Sequence, residues 1–294
     1  MDSLHLMPFI LLCFTYEELS VASVSEMNNV IHLGMMESSA AYIFIQSDES
    51  DKIAIENIKH NRENNTFADI WRNAEEKMNC TIPRGLRKEY MLAVYAYTAQ
   101  YPVGNPFNKI FNEEVRKYGA TDEIYAKKFK FKSFQYLLTV ALQKLKDDST
   151  KSAVMSYRGI RIEAEGAEGS EMRFGSFTSS SFSKDVALRF INKTTKSNTL
   201  FEIRTLYGAN ITQCSRFPGQ KEVLIPPYEM FRVGKSSSGK YGKSISLMGQ
   251  RKQGIRVKLE MGKDGEVIVV PCKGSDISAS RSLWILAALI SITI

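Results

Sequence analysis

Histidine is nearly absent from this 294-residue chain, which carries only His5, His32 and His60. A Ser-His-Asp triad, a Cys-His pair or a histidine-ligated zinc would have to recruit one of these, so chemistry centred on imidazole is disfavoured. Cysteine is scarce too, at four residues, and no Cys-x-x-Cys pair offers a metal or redox site. The chain also lacks His-Glu-x-x-His, a glycine-rich phosphate loop ending in Lys-Ser/Thr, and Gly-x-Gly-x-x-Gly. A zinc hydrolase, a phosphate-loop nucleotidase and a Rossmann unit are thereby disfavoured. Carboxylates, amides, hydroxyls and arginine remain to do the chemistry, and no metal is expected.

What is present reads as a folded protein. Hydrophobic residues make up 44% of the chain and aromatics 11%, too much for a disordered polymer. The length suits one large domain or two small ones. Lys plus Arg number 39 against 32 for Asp plus Glu, a balance that permits anionic partners without requiring them. Residues 235–258 are the place to look for a nucleic-acid patch, which needs clustered cations and stacking aromatics. The segment 235–243 (KSSSGKYGK) offers only Tyr241 among Gly and Ser. It reads as a flexible, solvated basic loop, and no nucleic-acid partner is expected.

Both ends are apolar. Residues 6–14 (LMPFILLCF) have the length of a signal-peptide core and precede small residues at Val21-Ala22-Ser23. Residues 283–294 (LWILAALISITI) run to the terminus, and as a helix they would reach only about 18 Å, short of the ~30 Å hydrocarbon core. Small residues upstream, Gly274-Ser275-Asp276 and Ser278-Ala279-Ser280, complete the layout of a glycolipid-anchor signal, though with a short spacer. The expected organisation is a signal peptide over 1–24, one domain over 25–273 and an anchor tail over 274–294. Sequons at Asn64, Asn79, Asn192 and Asn210 agree with an extracellular, cell-surface or secreted protein. With Cys13 in the leader, Cys80, Cys214 and Cys272 allow one bridge in any of three pairings.

The first half carries helical periodicity at 67–78, 86–100, 107–118 and 134–145. From about residue 150 the texture changes to short β-rich runs at 153–162, 177–182, 199–205, 222–233, 254–259 and 267–270. Helices first and strands later predict an α+β fold rather than a parallel βαβ sheet.

Three short segments in the second half invite chemistry. In Tyr157-Arg158-Gly159 a guanidinium that holds anions bidentately stands beside a bare backbone. Residues 177–182 (FTSSSF) set a hydroxyl cluster between aromatics, which on this evidence alone is better explained as an exposed serine-rich edge strand. In Arg216-Phe217-Pro218-Gly219-Gln220-Lys221-Glu222, Gln220 and Glu222 lie two apart where a turn enters a strand, which would point both to one face. An amide and a carboxylate there would grip a sugar hydroxyl and an incoming nucleophile.

Arg158, then the Ser-x-Ser of Ser179 and Ser181, then Gln220-x-Glu222, with residues 222–231 (EVLIPPYEMF), together resemble the ecto-ADP-ribosyltransferases, vertebrate-type relatives of the arginine-modifying toxins. The likeness spans roughly residues 60–235 and includes 129–145, Arg173-Phe174-Gly175 and 177–182. It implies a helical N-terminal half packed on two small, mostly antiparallel sheets with NAD+ in the cleft between them. It also implies transfer of ADP-ribose to a protein side chain with release of nicotinamide. Nicotinamide leaves a cationic N-glycoside as a neutral base, so no general acid is needed, in keeping with the histidine poverty. The resemblance assigns Glu222 to the ribose hydroxyl beside the developing oxocarbenium charge. Arg158 and, more distantly, Arg216 would hold phosphate, Gly159 the nicotinamide amide, and Ser179 with Ser181 the ribose and Glu222.

The chain also departs from that pattern. Arginine-specific members carry Glu where Gln220 stands, and Gln with an aromatic before it, here Phe217, looks like the bacterial exoenzymes that modify asparagine on Rho proteins. Phe217 and Gln220 are thus the expected acceptor-recognition residues, for arginine or asparagine side chains. The family cysteines before the Tyr-Arg-Gly strand and near Leu206-Tyr207-Gly208 are missing, with Val154 and Thr205 near those places. A monomeric, lipid-anchored transferase is the leading expectation. An NAD glycohydrolase and a catalytically silent surface protein on the same fold stand beside it.

Overall fold

The computed structural model describes residues 30–60, 65–147 and 152–272. The expected leader, the anchor tail, Cys13 and Asn64 lie outside the described residues.

The helical half comprises α1 (Asp48–Lys59), α2 (Asn65–Lys77), α3 (Lys88–Thr98), α4 (Phe107–Lys117), α5 (Asp122–Lys128) and α6 (Lys132–Asp147). Local chemistry starts two of them. Ser47 caps α1 by accepting from the Ser50 amide, with Asp48, Glu49 and Asp51 in the first turn, and Thr121 caps α5 by accepting from the Ile124 amide. Tyr90 to Thr98 of α3 are all buried, so this helix runs through the core rather than along its surface. Around it Phe107 and Phe111 meet Phe134 edge-on, with centroids 4.7 and 4.8 Å apart. Polar linkage converges on Asp51, fully buried, whose carboxylate accepts from Tyr90 (2.6 Å), Tyr136 (2.7 Å), Gln46 and Arg87 (2.9 Å each). One acid thereby ties α1 to α3 and α6.

The strands are β1 (Val30–His32), β2 (Ile43–Phe44), β3 (Val154–Ile160), β4 (Glu163–Glu165), β5 (Glu171–Met172), β6 (Thr178–Ser181), β7 (Thr199–Thr205), β8 (Ala209–Asn210), β9 (Glu222–Ile225), β10 (Glu229–Gly239), β11 (Gly242–Lys252), β12 (Arg256–Met261) and β13 (Val267–Pro271), with a short α7 (Lys184–Ala187). Eight form one sheet in the order β5-β10-β11-β7-β3-β6-β9-β8, beside β13-β12-β2 and β1-β4. Pairing is antiparallel except for β1–β4, β7–β11 and β2–β12. The α+β reading and its antiparallel bias hold.

The expected pair of small sheets is present as two halves of this large one. β3 pairs with β7 from Val154 to Ile160, but meets β6 only at Tyr157↔Ser181, whereas β6 pairs with β9 along its whole length. The sheet therefore splays between β3 and β6. The β6-β9-β8 half packs on the helices through Phe177, Ala209 and Leu224, while the other half has its own core of Ile160, Phe201, Ile203, Phe231 and Leu247.

Two sequence expectations need correction. Residues 235–243 are not a flexible loop but the tip of the β10–β11 hairpin, paired from Ser236↔Ile245 to Gly239↔Gly242. Serine is no strong strand former, and β7 supplies the other side of β11 there, so tertiary pairing overrides local preference. The run 222–233 is two strands, broken by a turn at Pro226-Pro227 in which the Glu229 amide donates to the Pro226 carbonyl. Of the cysteines, Cys80 and Cys214 form the disulfide and Cys272 stands outside it.

Candidate active site

Glu222 opens β9 at 6% exposure, and its register partner on β6 is Ser181. Directly opposed residues of an antiparallel pair share a face, so carboxylate and hydroxyl stand side by side. The next residues across the ladder, Tyr157 on β3 and Glu202 on β7, extend the same row beyond the splay. A narrow cleft opens there, lined by Tyr157, Arg158, Gly159, Ser179, Ser181, Gln220 and Glu222, with Val186, Ala187 and Phe190 as an apolar wall. Six of the eight residues singled out from the sequence thus line one cavity.

Each has an observed partner. The buried Arg158 guanidinium donates to the Ser179 carbonyl (2.7 Å), a bond across the gap where the β3–β6 ladder has parted. Ser181 Oγ donates to the Gln220 carbonyl (2.7 Å) and accepts from the Ser183 amide (3.0 Å). At Gly159 a side chain would collide with the Ala187 carbonyl, so glycine is what lets the α7 segment close over β3. On the rim, Lys184 pairs with Glu202 (2.8 Å), which raises the ammonium pKa above its usual value.

Gln220 reaches the cleft by a different route from the one expected. It ends a 3-10 turn, Pro218–Gln220, and Lys221 then takes a left-handed conformation at φ 49° before β9 begins. Strand alternation therefore does not relate Gln220 to Glu222; the turn brings them together. Arg216 and Phe217 lie outside the lining, Arg216 exposed with its guanidinium carbon 5.5 Å from the Phe217 ring. The sequence motifs give Tyr157 no role of its own and miss the α7 wall and Ser215, whose hydroxyl donates to Glu222 Oε2 (3.1 Å). No local pattern marks Ser215, because the contact spans a turn.

The lining suits an N-glycoside with a ribose: a buried carboxylate beside hydroxyls, a bare backbone position, a guanidinium and an apolar wall. Among the described residues no group of three His, Cys, Asp or Glu is placed to hold a metal ion.

Residues 39–254 match the family model for NAD:arginine ADP-ribosyltransferases. The chain belongs to that family. It is 34% identical over 230 residues to the erythroblast NAD(P)(+)–arginine ADP-ribosyltransferase of Gallus gallus, covering 75% of this chain and 73% of the relative. Similarity extends to the GPI-linked NAD(P)(+)–arginine ADP-ribosyltransferase 1 of Mus musculus, 38% identical over 158 residues, 53% of this chain and 46% of that one. The crystal structure of the eukaryotic mono-ADP-ribosyltransferase ART2.2 superposes with a TM-score of 0.61 at 28% identity, covering 76% of this chain and 96% of the other. A variant of ART2.2 is known in complex with NAD. Family membership makes this chain an NAD-dependent ADP-ribosyltransferase.

Proposed function

We propose that the protein is a cell-surface mono-ADP-ribosyltransferase that moves ADP-ribose from NAD+ to a protein side chain, with Glu222 as its essential residue. The observation that carries this reading is the convergence of Glu222, Ser181, Ser179, Arg158, Gly159 and Gln220 on one cleft within a chain of this family.

As the bond to nicotinamide lengthens, positive charge develops on the ribose. A carboxylate bonded to the neighbouring ribose hydroxyl gains strength as that charge grows, which favours the transition state over the bound substrate. Arg158 balances phosphate charge, the Gly159 backbone meets the nicotinamide amide, and Ser179 and Ser181 place the ribose. Arg216 stands on the loop outside the lining, where it serves phosphate only if that loop closes.

Acceptor choice belongs to Gln220 and Phe217. A neutral amide cannot offer the charge-assisted, bidentate pairing that a carboxylate gives a guanidinium. Gln220 therefore also favours a second reading, transfer to asparagine or to water. The relative named as GPI-linked and the apolar character of residues 283–294 support a lipid-anchored protein at the cell surface, which we take to act as a monomer.

Labelled NAD+ separates these readings. Wild type and Glu222→Gln are incubated with an arginine-rich acceptor, an asparagine-presenting acceptor or none. Label on protein identifies the acceptor, free ADP-ribose identifies hydrolysis, and full nicotinamide release by Glu222→Gln refutes the role of Glu222. Gain of arginine transfer in Gln220→Glu assigns acceptor choice to that position.

A further inference from the structure

We infer that Ser215 is a positioning residue for Glu222, held in place by a loop clamped to the helical half. The inference rests on the assignment of Glu222 above.

Ser215 is buried, and a hydroxyl has one proton to give. Its oxygen accepts from the Phe217 amide (3.3 Å) and its proton goes to Glu222 Oε2 (3.1 Å). The amide on the acceptor side orients the hydroxyl toward the carboxylate, so this oxygen is steered toward Ser215.

The loop has no regular structure to hold that geometry, yet it is fixed at three points. The Ile211 amide donates to the Glu222 carbonyl (3.1 Å), tying the loop's start to β9 itself. Cys214, next to Ser215, is bonded to Cys80, just beyond α2. On the other side the Arg216 amide donates to Thr98 Oγ1 (2.9 Å) at the end of α3, and that hydroxyl is fixed by the carbonyls of Val94 and Tyr95 (3.1 Å each). Ser215 therefore sits between a covalent anchor and a hydrogen-bonded anchor, both on the helical half. The helices thus reach the carboxylate through Ser215 without lining the cleft.

Removing the hydroxyl leaves NAD+ contacts in place and lets the carboxylate leave its productive orientation. Ser215→Ala should lower kcat for nicotinamide release by about 10- to 100-fold, the size of one hydrogen bond to a charged group. The Kd for NAD+ from calorimetry should stay within about twofold, the melting temperature should hold, and Ser215→Thr should recover most of the rate. Thr98→Val, which loosens the Arg216 anchor, should shift kcat the same way by less and is read identically if Ser215→Ala does not fold. Wild-type kcat in Ser215→Ala while Glu222→Gln is inactive overturns the inference alone. So does a parallel fall in NAD+ affinity and melting temperature that Ser215→Thr does not relieve, since that marks a structural role. Full activity in Glu222→Gln overturns both assignments.

Discussion

Breaking the Cys80–Cys214 bridge should cost the fold several kcal/mol, and the structure fixes the scale. The two residues are 134 positions apart, so in the chain-entropy model the closed loop raises the free energy of the unfolded chain by about 5 kcal/mol. Residual structure in the unfolded state reduces that gain, while the small void left by truncating the buried Cys214 adds back about 1 kcal/mol. A loss of about 3–5 kcal/mol is therefore expected for Cys80→Ala/Cys214→Ala. In a domain of this size that lowers the melting temperature by roughly 10 °C. Alanine suits Cys214 because a serine there would bury an added hydroxyl. Urea unfolding of wild type and double variant, each with and without a thiol reductant, is the assay. Reductant should bring wild type to within about 1 kcal/mol of the variant, the difference being the void at Cys214, and leave the variant unmoved. A difference below about 1 kcal/mol would show that the bridge joins segments already close in the unfolded chain, contrary to the loop-closure argument.

Three other tests address different parts of the molecule. Asp51→Asn keeps the shape but turns one carboxylate oxygen, which now accepts from the tyrosines or from Gln46 and Arg87, into a donor facing donors. A stability loss of about 3–5 kcal/mol in denaturant titration is expected, and a change under 1 kcal/mol would remove Asp51 from its place as the hub of α1, α3 and α6. Burial pushes Glu229 up to about 7 from 4.5, against the hydrogen bonds from Thr205, Leu206 and Tyr207. The folded state thus holds a proton that the unfolded chain has released, so this group's stabilisation is full below pH 4.5 and is lost as pH rises to about 7. The slope is about 1.4 kcal/mol per pH unit in that window, and a wild-type profile parallel to that of Glu229→Gln would contradict it. Finally, Asn192 and Asn210 are exposed, and each has its Oδ1 taken by the amide two residues on (3.0 Å), leaving Nδ2 to carry sugar. Asn210 pairs with Val223 and so faces away from Glu222. Protein from a secretory host should lose one mass step with Thr194→Ala and one with Thr212→Ala, with nicotinamide release unchanged; secreted protein lacking sugar at both would refute the assignment.

Much of this architecture was legible because it rests on local signals. Helices α2, α3, α4 and α6 declare themselves by apolar spacing, and β7 spans the residues its β-branched and aromatic run predicts. The missed pieces depend on distant partners. The end of β10 reads as a polar Ser-Gly-Lys stretch, and only its pairing with β11, itself held by β7, makes it strand. The cleft shows the same division. Arg158, Ser179, Ser181 and Glu222 were visible as motifs, because each stands on a strand whose neighbours fix it. Ser215 was not, since its link to Glu222 requires a loop pinned by Cys80 and Thr98 from two different parts of the helical half. The missing family cysteines make the point from the other side. Val154 and Thr205 are direct cross-strand partners, within disulfide reach for such a pair. In this chain the Thr205 hydroxyl instead donates to Glu229 Oε2 (2.6 Å) and accepts from the Gly208 amide (2.7 Å). A buried polar link thus joins β7 to β10 here, and the Cys80–Cys214 disulfide lies one residue from Ser215, the partner of Glu222.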